Sequence, residues 1–215
     1  MARRGEPRFV DWQAAGPWLA IAVALFYLND LAFLNASGYR SWLAIDYATR
    51  LLVLAALFAP ASLRAPLRAE LGGVPGVHAF VGVTIGAAVV GIATDALRGS
   101  VLAIWPNLGG ISFPAPDSPP LHAFDLTVGI GFVALSEELT FRAPLLLLVR
   151  EGRIGRIAGL IVTSLVFGAM HWSFGLDNVV AATAAGLVFG TATLVTRSLW
   201  PAIVAHYIVD AWHFL

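Results

Sequence analysis

Glu137 and Glu138 are adjacent carboxylates, and Arg142 follows one helical turn after the second, all inside an apolar stretch running from about Phe124 to Val149. Ionisable groups at membrane depth are costly and face a bundle interior or a wet cavity, so this cluster is a candidate site. On a helix Glu138 and Arg142 can pair, which neutralises one carboxylate within the element and leaves Glu137 as the free acid or base. Glu137 lies about 100° round the helix from Glu138, so the two need not face one cavity. Farther along, Phe167 and His171 share a helix face, as do His206 and Asp210, where the carboxylate can make the imidazole more basic or fix its tautomer. The chain has no cysteine, so disulfides, thiolate metal sites and a cysteine nucleophile are excluded. What remains is oxygen and imidazole chemistry, and two acids with two imidazoles suit proton transfer to and from water. Ser136 precedes the glutamates without a base of its own, which argues against a serine nucleophile.

These groups must be positioned by membrane-embedded helices. The 215 residues are 59% hydrophobic and only 12% charged, with a mean hydropathy of +0.81, the composition of a polytopic membrane protein. The expected fold is an all-α transmembrane helix bundle enclosing a polar intramembrane cavity. It has about seven spans: residues 17–34, 43–60, 77–97, 121–149, 157–171, 179–196 and 199–215. The fourth is longer than a bilayer needs, and Pro144 is expected to kink or end its helix. Residues 64–76 read as an interfacial amphipathic piece and residues 107–120 as a Gly/Pro-rich surface loop. The chain reads as one integral membrane domain, with N-terminal spans in 1–120 and the three polar motifs in 121–215.

The formal net charge is zero and every basic residue is arginine, so no basic surface suggests nucleic acid as a partner. Arg3, Arg4 and Arg8, then Arg64 and Arg68, then Arg150, Arg153 and Arg156, then Arg197 fall on one side of the spans, with Arg40 and Arg98 on the other. Short arginine-rich loops stay cytoplasmic, which places the N-terminus inside. An all-arginine, Ala/Leu/Val/Gly-rich chain of this kind is expected in the inner membrane of a GC-rich bacterium. At about 1.5 Å per residue, Glu137 lies about 20 Å from Arg150 and His171 about 21 Å from Ile157, depths at which Glu137, His171, His206 and Asp210 can share one pocket. His78, His122 and His213 read as interfacial, Asp46 with Arg50 as a pair towards the outer end of the second span, and Asp95 and Asp125 as outer-edge residues.

The ordered motifs Glu137-Glu138-x-x-x-Arg142, Phe167-x-x-x-His171 and His206-x-x-x-Asp210, each in its own apolar segment, resemble those of the CAAX prenyl protease and bacteriocin-processing family, also called the Abi family. The resemblance covers about Leu121 to Leu215. It implies a glutamate-type intramembrane endopeptidase that needs no cofactor and cuts a membrane-anchored or lipidated protein near its C-terminus. It makes Glu137 the base that activates water, with His171 helping to hold or deprotonate that water. It gives oxyanion stabilisation to His206 and the residue four further on, here Asp210 where well-understood members carry Asn. A carboxylate is a poor oxyanion donor unless protonated, so the donor role falls to His206, with Asp210 orienting it. Arg142 holds Glu138. Two alternatives stay open: a zinc protease with the same residues as ligands, although no HExxH is present, and a non-catalytic immunity or proton-coupled transport protein.

Overall fold

The computed structural model describes residues 10–214; Arg3, Arg4, Arg8 and Leu215 lie outside the described residues. The architecture is all-α. In chain order the helices are α1 (Trp12–Phe33), α2 (Tyr39–Phe58), α3 (Ala61–Leu71), α4 (Val77–Thr94), α5 (Ala96–Ile104), α6 (Pro119–Phe124), α7 (Ile130–Arg150), α8 (Arg156–Ala169), α9 (Leu176–Thr196) and α10 (Trp200–Phe214). Four stretches are long and apolar enough to cross a membrane: α1, α2, the continuous α4–α5 segment Val77–Ile104, and α9. Of the other three expected spans, α8 and α10 are shorter, at 14 and 15 residues, and α7 carries the ionisable cluster.

A bundle in lipid turns its apolar side chains outward as well as inward. Val81, Ile85 and Val89 of α4, and Ile157, Ile161 and Leu165 of α8, are accordingly exposed. The centre belongs to α7, which packs against α2, α8, α9 and α10. Every residue from Ser136 to Leu147 is buried, so this helix has no solvent or lipid face over three turns, and its charges must find partners among its neighbours. Helices α8 and α9 pack closely through small residues. A β-carbon on Gly168 would collide with Thr183 and with the Val179 carbonyl oxygen.

The amphipathic piece expected at 64–76 is α3, which buries Leu63 and Leu67 and exposes Arg64 and Arg68. Pro144 does not end its helix. The helix runs through Pro144 to Arg150, and the irregularity is instead a π-helical turn, Asp125–Gly129, between α6 and α7. There the Asp125 carboxylate accepts hydrogen bonds from the Tyr47 hydroxyl at 2.6 Å and the Tyr39 hydroxyl at 3.0 Å. Gly129 lets this cluster sit against the turn, since a side chain would strike Tyr47 and Asp125.

The two ends of the bundle are distinct. At one end the Val10 amide and the Trp12 indole donate to Glu151 (2.7 and 2.6 Å), Arg150 meets Glu70 at 2.5 Å, and the Trp200 indole donates to the Leu71 carbonyl at 2.7 Å. At the other, the loop expected at 107–120 folds back over the helices. It is pinned to the α8–α9 connection by hydrogen bonds from Gly110 to Phe174 (3.1 Å) and from Ile111 to Ser173 (2.9 Å). Phe33, Trp42, Phe113 and Phe174 pack there, Phe33 on Trp42 with ring centroids 3.7 Å apart.

Candidate active site

The long apolar segment 130–150 holds its glutamates about two turns after the π-helical turn, buried in the bundle. Glu137 borders a cavity of about 420 Å³ whose walls also include His171, His206 and Asp210. Glu138 and Arg142 do not line it; both are fully buried one layer behind. The 100° step between adjacent helical positions thus sends two neighbouring carboxylates to two environments.

Glu137 is not the free carboxylate that the sequence suggests. Its Oε1 receives a hydrogen bond from Arg50 Nη1 at 2.9 Å, and its Oε2 lies 3.7 Å from His206 Nε2. Arg50 lies mid-way along α2 rather than at the outer end, and its guanidinium also donates to Asp46 at 2.7 Å and to the Ser136 hydroxyl at 3.0 Å. The expected Asp46–Arg50 pair is therefore part of the site wall. One cation on α2 serves carboxylates on both α2 and α7, which is how two buried negative charges are tolerated.

His206 sits among carboxylates on both sides. Its Nδ1 is 3.0 Å from Glu138 Oε1, and its Nε2 is 3.4 Å from Asp210 Oδ2 and faces Glu137. Its ring stacks on Phe189 with centroids 4.8 Å apart. Behind it, Arg142 approaches Glu138 at 3.3 Å with its guanidinium 4.5 Å over the Phe167 ring. The geometry aligns no hydrogen bond between Arg142 and Glu138, so charge and the aromatic face hold the guanidinium. Asp46, Arg50, Glu137, His206, Glu138 and Arg142 thus form a continuous run of groups across α2, α7 and α10.

His171 is reached differently. Its helix ends at Ala169, and the ring folds back so that Nδ1 bonds the Phe167 carbonyl at 3.0 Å. A carbonyl only accepts, so Nδ1 carries the proton and Nε2 is the bare acceptor. Among the described residues no carboxylate contacts His171 directly, which leaves the cavity between it and Glu137 as space for a small molecule.

His122 and His213, which the sequence left at the periphery, sit on the cavity wall, and so does Asp30. His122 faces the Tyr39 hydroxyl at 3.2 Å, and His213 lies 3.2 Å from Asp95 and 3.3 Å from Arg98. Asp30 of α1 accepts from the Ser173 hydroxyl at 2.8 Å, tying α1 to the segment after His171. His122 and His213 are still near helix ends, but at the cavity mouth rather than at a plain interface. For Arg50 the sequence did carry a signal. Glu137, Glu138, Asp46 and Asp210 in apolar segments outnumber Arg50 and Arg142, so at least one guanidinium had to serve more than its helical neighbour.

As for a metal, no cluster of three or more His, Asp or Glu side chains placed to hold one occurs among the described residues. Arg50 takes one oxygen of Glu137, Arg142 lies beside Glu138, and one His206 nitrogen is turned to Glu138.

Residues 119–212 match the family model described as type II CAAX prenyl endopeptidase Rce1-like. No curated protein and no solved structure matches the chain.

Proposed function

We propose, from the match of residues 119–212 to the type II CAAX prenyl endopeptidase Rce1-like family model, that the chain is a glutamate-type intramembrane endopeptidase that cuts membrane-anchored or lipidated polypeptides near their C-termini. The observation that carries this is the shared cavity wall of Glu137 from α7, His171 from the segment just after α8, and His206 and Asp210 from α10, with Glu137 and His206 buried within an otherwise apolar bundle.

Water held between Glu137 and His171 Nε2 loses a proton to the carboxylate, and the resulting hydroxide adds to the scissile carbonyl carbon. The carbonyl oxygen becomes an oxyanion beside His206, whose Nε2–H donates to it. Asp210 and Glu137 flank this nitrogen, and Glu138 anchors the opposite one at 3.0 Å. As the tetrahedral intermediate collapses, the C–N bond breaks and the proton from Glu137 passes to the leaving amine. Arg50 is a positioning residue that fixes one Glu137 oxygen, so the other faces the cavity. Arg142 and Glu138 act through His206. Such an oxyanion donor is worth about 10²–10³ in turnover.

The test is peptidase assay of purified protein on C-terminal membrane-anchor and lipidated peptides, with and without chelator. Wild type cleaves regardless of chelator. Glu137→Ala and His171→Ala lose cleavage while remaining extractable and cooperatively folded by thermal unfolding. Near-normal cleavage by Glu137→Ala refutes the catalytic assignment, and loss of wild-type cleavage on chelation replaces it with a metal mechanism.

A further inference from the structure

Arginine is divided unequally between the two ends of the bundle. Six described arginines sit at one end: Arg64 and Arg68 on α3, Arg150, Arg153 and Arg156 at the α7–α8 turn, and Arg197 at the α9–α10 turn. This is a single end in space, because Arg150 meets Glu70 of α3, the Gly73 carbonyl accepts from Ser198, and the start of α1 is bound to Glu151. The other end holds two, Arg40 and Arg98, and both are engaged by carboxylates, Asp117 at 3.1 Å and Asp177 at 3.2 Å. Arg50 and Arg142 are buried between the ends.

The cavity belongs wholly to the arginine-poor end. Its wall includes Asp30 from the last turn of α1, Trp42 from the first turn of α2, Asp95 at the end of α4, Asn178 from the first turn of α9 and Trp212 from the last turn of α10. No wall residue comes from residues 51–90, 138–166 or 190–205, the stretches that build the arginine-rich end. There the bundle is closed by α3, whose Leu63 and Leu67 are fully buried against it. The exposed wall residues Phe113 and Trp212 lie at the arginine-poor end, so the cavity has a defined direction relative to the charge asymmetry. Lys and Arg in short loops set orientation by remaining on the cytoplasmic side, and acidic neighbours contribute little to that choice.

We infer that the cavity opens away from the cytoplasm, so that its substrates are C-terminal segments of exported, membrane-anchored polypeptides presented at the outer leaflet. This rests on the endopeptidase reading for the word substrate, but the direction of the mouth does not. A protein lipidated at its C-terminus in the cytoplasm meets the closed, cationic end. An exported polypeptide whose anchor reaches the outer leaflet meets the cavity at exposed Phe113 and Trp212, with the packed rings of Trp42, Phe174 and Phe214 behind, an apolar surface that fits an extended apolar segment entering beside the anchor.

The chain has no native cysteine, which makes the direction measurable with single thiols. Ser37→Cys places one in the exposed α1–α2 connection at the mouth end, and Ala69→Cys places one on the exposed side of α3 at the arginine-rich end. In intact cells a membrane-impermeant maleimide labels Ser37→Cys at least tenfold faster than Ala69→Cys, and detergent equalises the two. Preferential labelling of Ala69→Cys, or equal labelling of both in intact cells, overturns the inference. The second arm uses right-side-out vesicles carrying wild type or Glu137→Ala, given a membrane-anchor peptide from outside or trapped within. Cleavage of the outside peptide alone, absent in Glu137→Ala, supports the inference, and cleavage of the trapped peptide alone overturns it. Outward labelling with no cleavage from either side refutes the endopeptidase reading and leaves the direction standing.

Discussion

Arg50→Gln is the sharpest perturbation of the site, because it removes a cation and nothing else of the same size. Arg50 Nη1 lies 2.9 Å from Glu137 Oε1, and its Nε lies 2.7 Å from Asp46, with all three side chains at most 10% exposed. With an effective dielectric of about 20, unit charges 2.9 Å apart attract by about 6 kcal/mol. Desolvation offsets part of this, and breaking such a buried pair by removing one partner costs about 3–5 kcal/mol of stability. If about 2–3 kcal/mol of the same loss appears in the barrier for water activation, because Glu137 turns to find another partner, turnover falls about 30- to 160-fold.

Stability and turnover are separated by the double variant Arg50→Gln/Asp46→Asn. Removing the Asp46 charge relieves one of the two carboxylates that Arg50→Gln strands, so a large part of the lost melting temperature returns. Glu137 still lacks its cation, so turnover stays low. Both are read on purified protein in detergent, by thermal unfolding and by peptidase assay beside the Asp46→Asn single variant. Wild-type turnover in Arg50→Gln refutes the positioning role. Turnover that recovers in the double variant in step with melting temperature refutes it as well, since Arg50 then acts only by holding helices together.

His206→Ala lowers kcat by about 10²–10³ with little change in KM. Asp210→Asn keeps at least a third of wild-type kcat if Asp210 only orients His206; a loss as severe as that of His206→Ala assigns Asp210 a charge-supporting role. At the arginine-rich end, burial raises the Glu151 carboxyl, but hydrogen bonds from the Val10 amide, the Trp12 indole and Arg153 outweigh it and hold the group below the ordinary glutamate range. A depressed carboxyl stabilises fully above its unfolded-state pKa, so this contribution is lost as pH falls through the lower folded-state value. Glu151→Gln should abolish that acid-side slope in melting temperature, and an unchanged slope contradicts the assignment. Gly168→Ala, whose β-carbon meets Thr183 and the Val179 carbonyl, costs about 1–3 kcal/mol of stability by thermal unfolding; an unchanged melting temperature shows that α8 and α9 part easily.

Much of this arrangement was legible in the chain because membrane burial makes polar residues conspicuous. Four of the seven apolar segments became helices long and apolar enough to cross a membrane, and spacing of four placed His206 with Asp210 and Glu138 with Arg142, which the structure brings to 3.4 and 3.3 Å. Helical periodicity also separated Glu137 from Glu138, and only the former borders the cavity. Contacts between helices were out of reach, since hydropathy states that a segment is buried without stating against what. Pro144 looked like a break, yet a helix enclosed on all sides keeps its course through it, while the π-helical turn at Asp125–Gly129 had no marker stronger than a glycine and a nearby acid. The direction of the mouth likewise required three dimensions, because it depends on which ends of the helices contribute cavity walls.

Arg50 joins these strands. It lies outside the family-matched segment 119–212, yet it is the cation that touches Glu137 directly, whereas Arg142, inside that segment, touches Glu138. Two adjacent glutamates on one helix therefore draw their counter-charges from different halves of the chain. The C-terminal segment carries all three motifs, but a buried carboxylate left without its cation is costly. The N-terminal helices, which offered only hydropathy to a reader of the sequence, complete the electrostatics of the site as well as its walls. It follows that α2 cannot be replaced by an arbitrary apolar span of equal length, because its register, one residue in which is Arg50, is fixed by the position of Glu137 on α7.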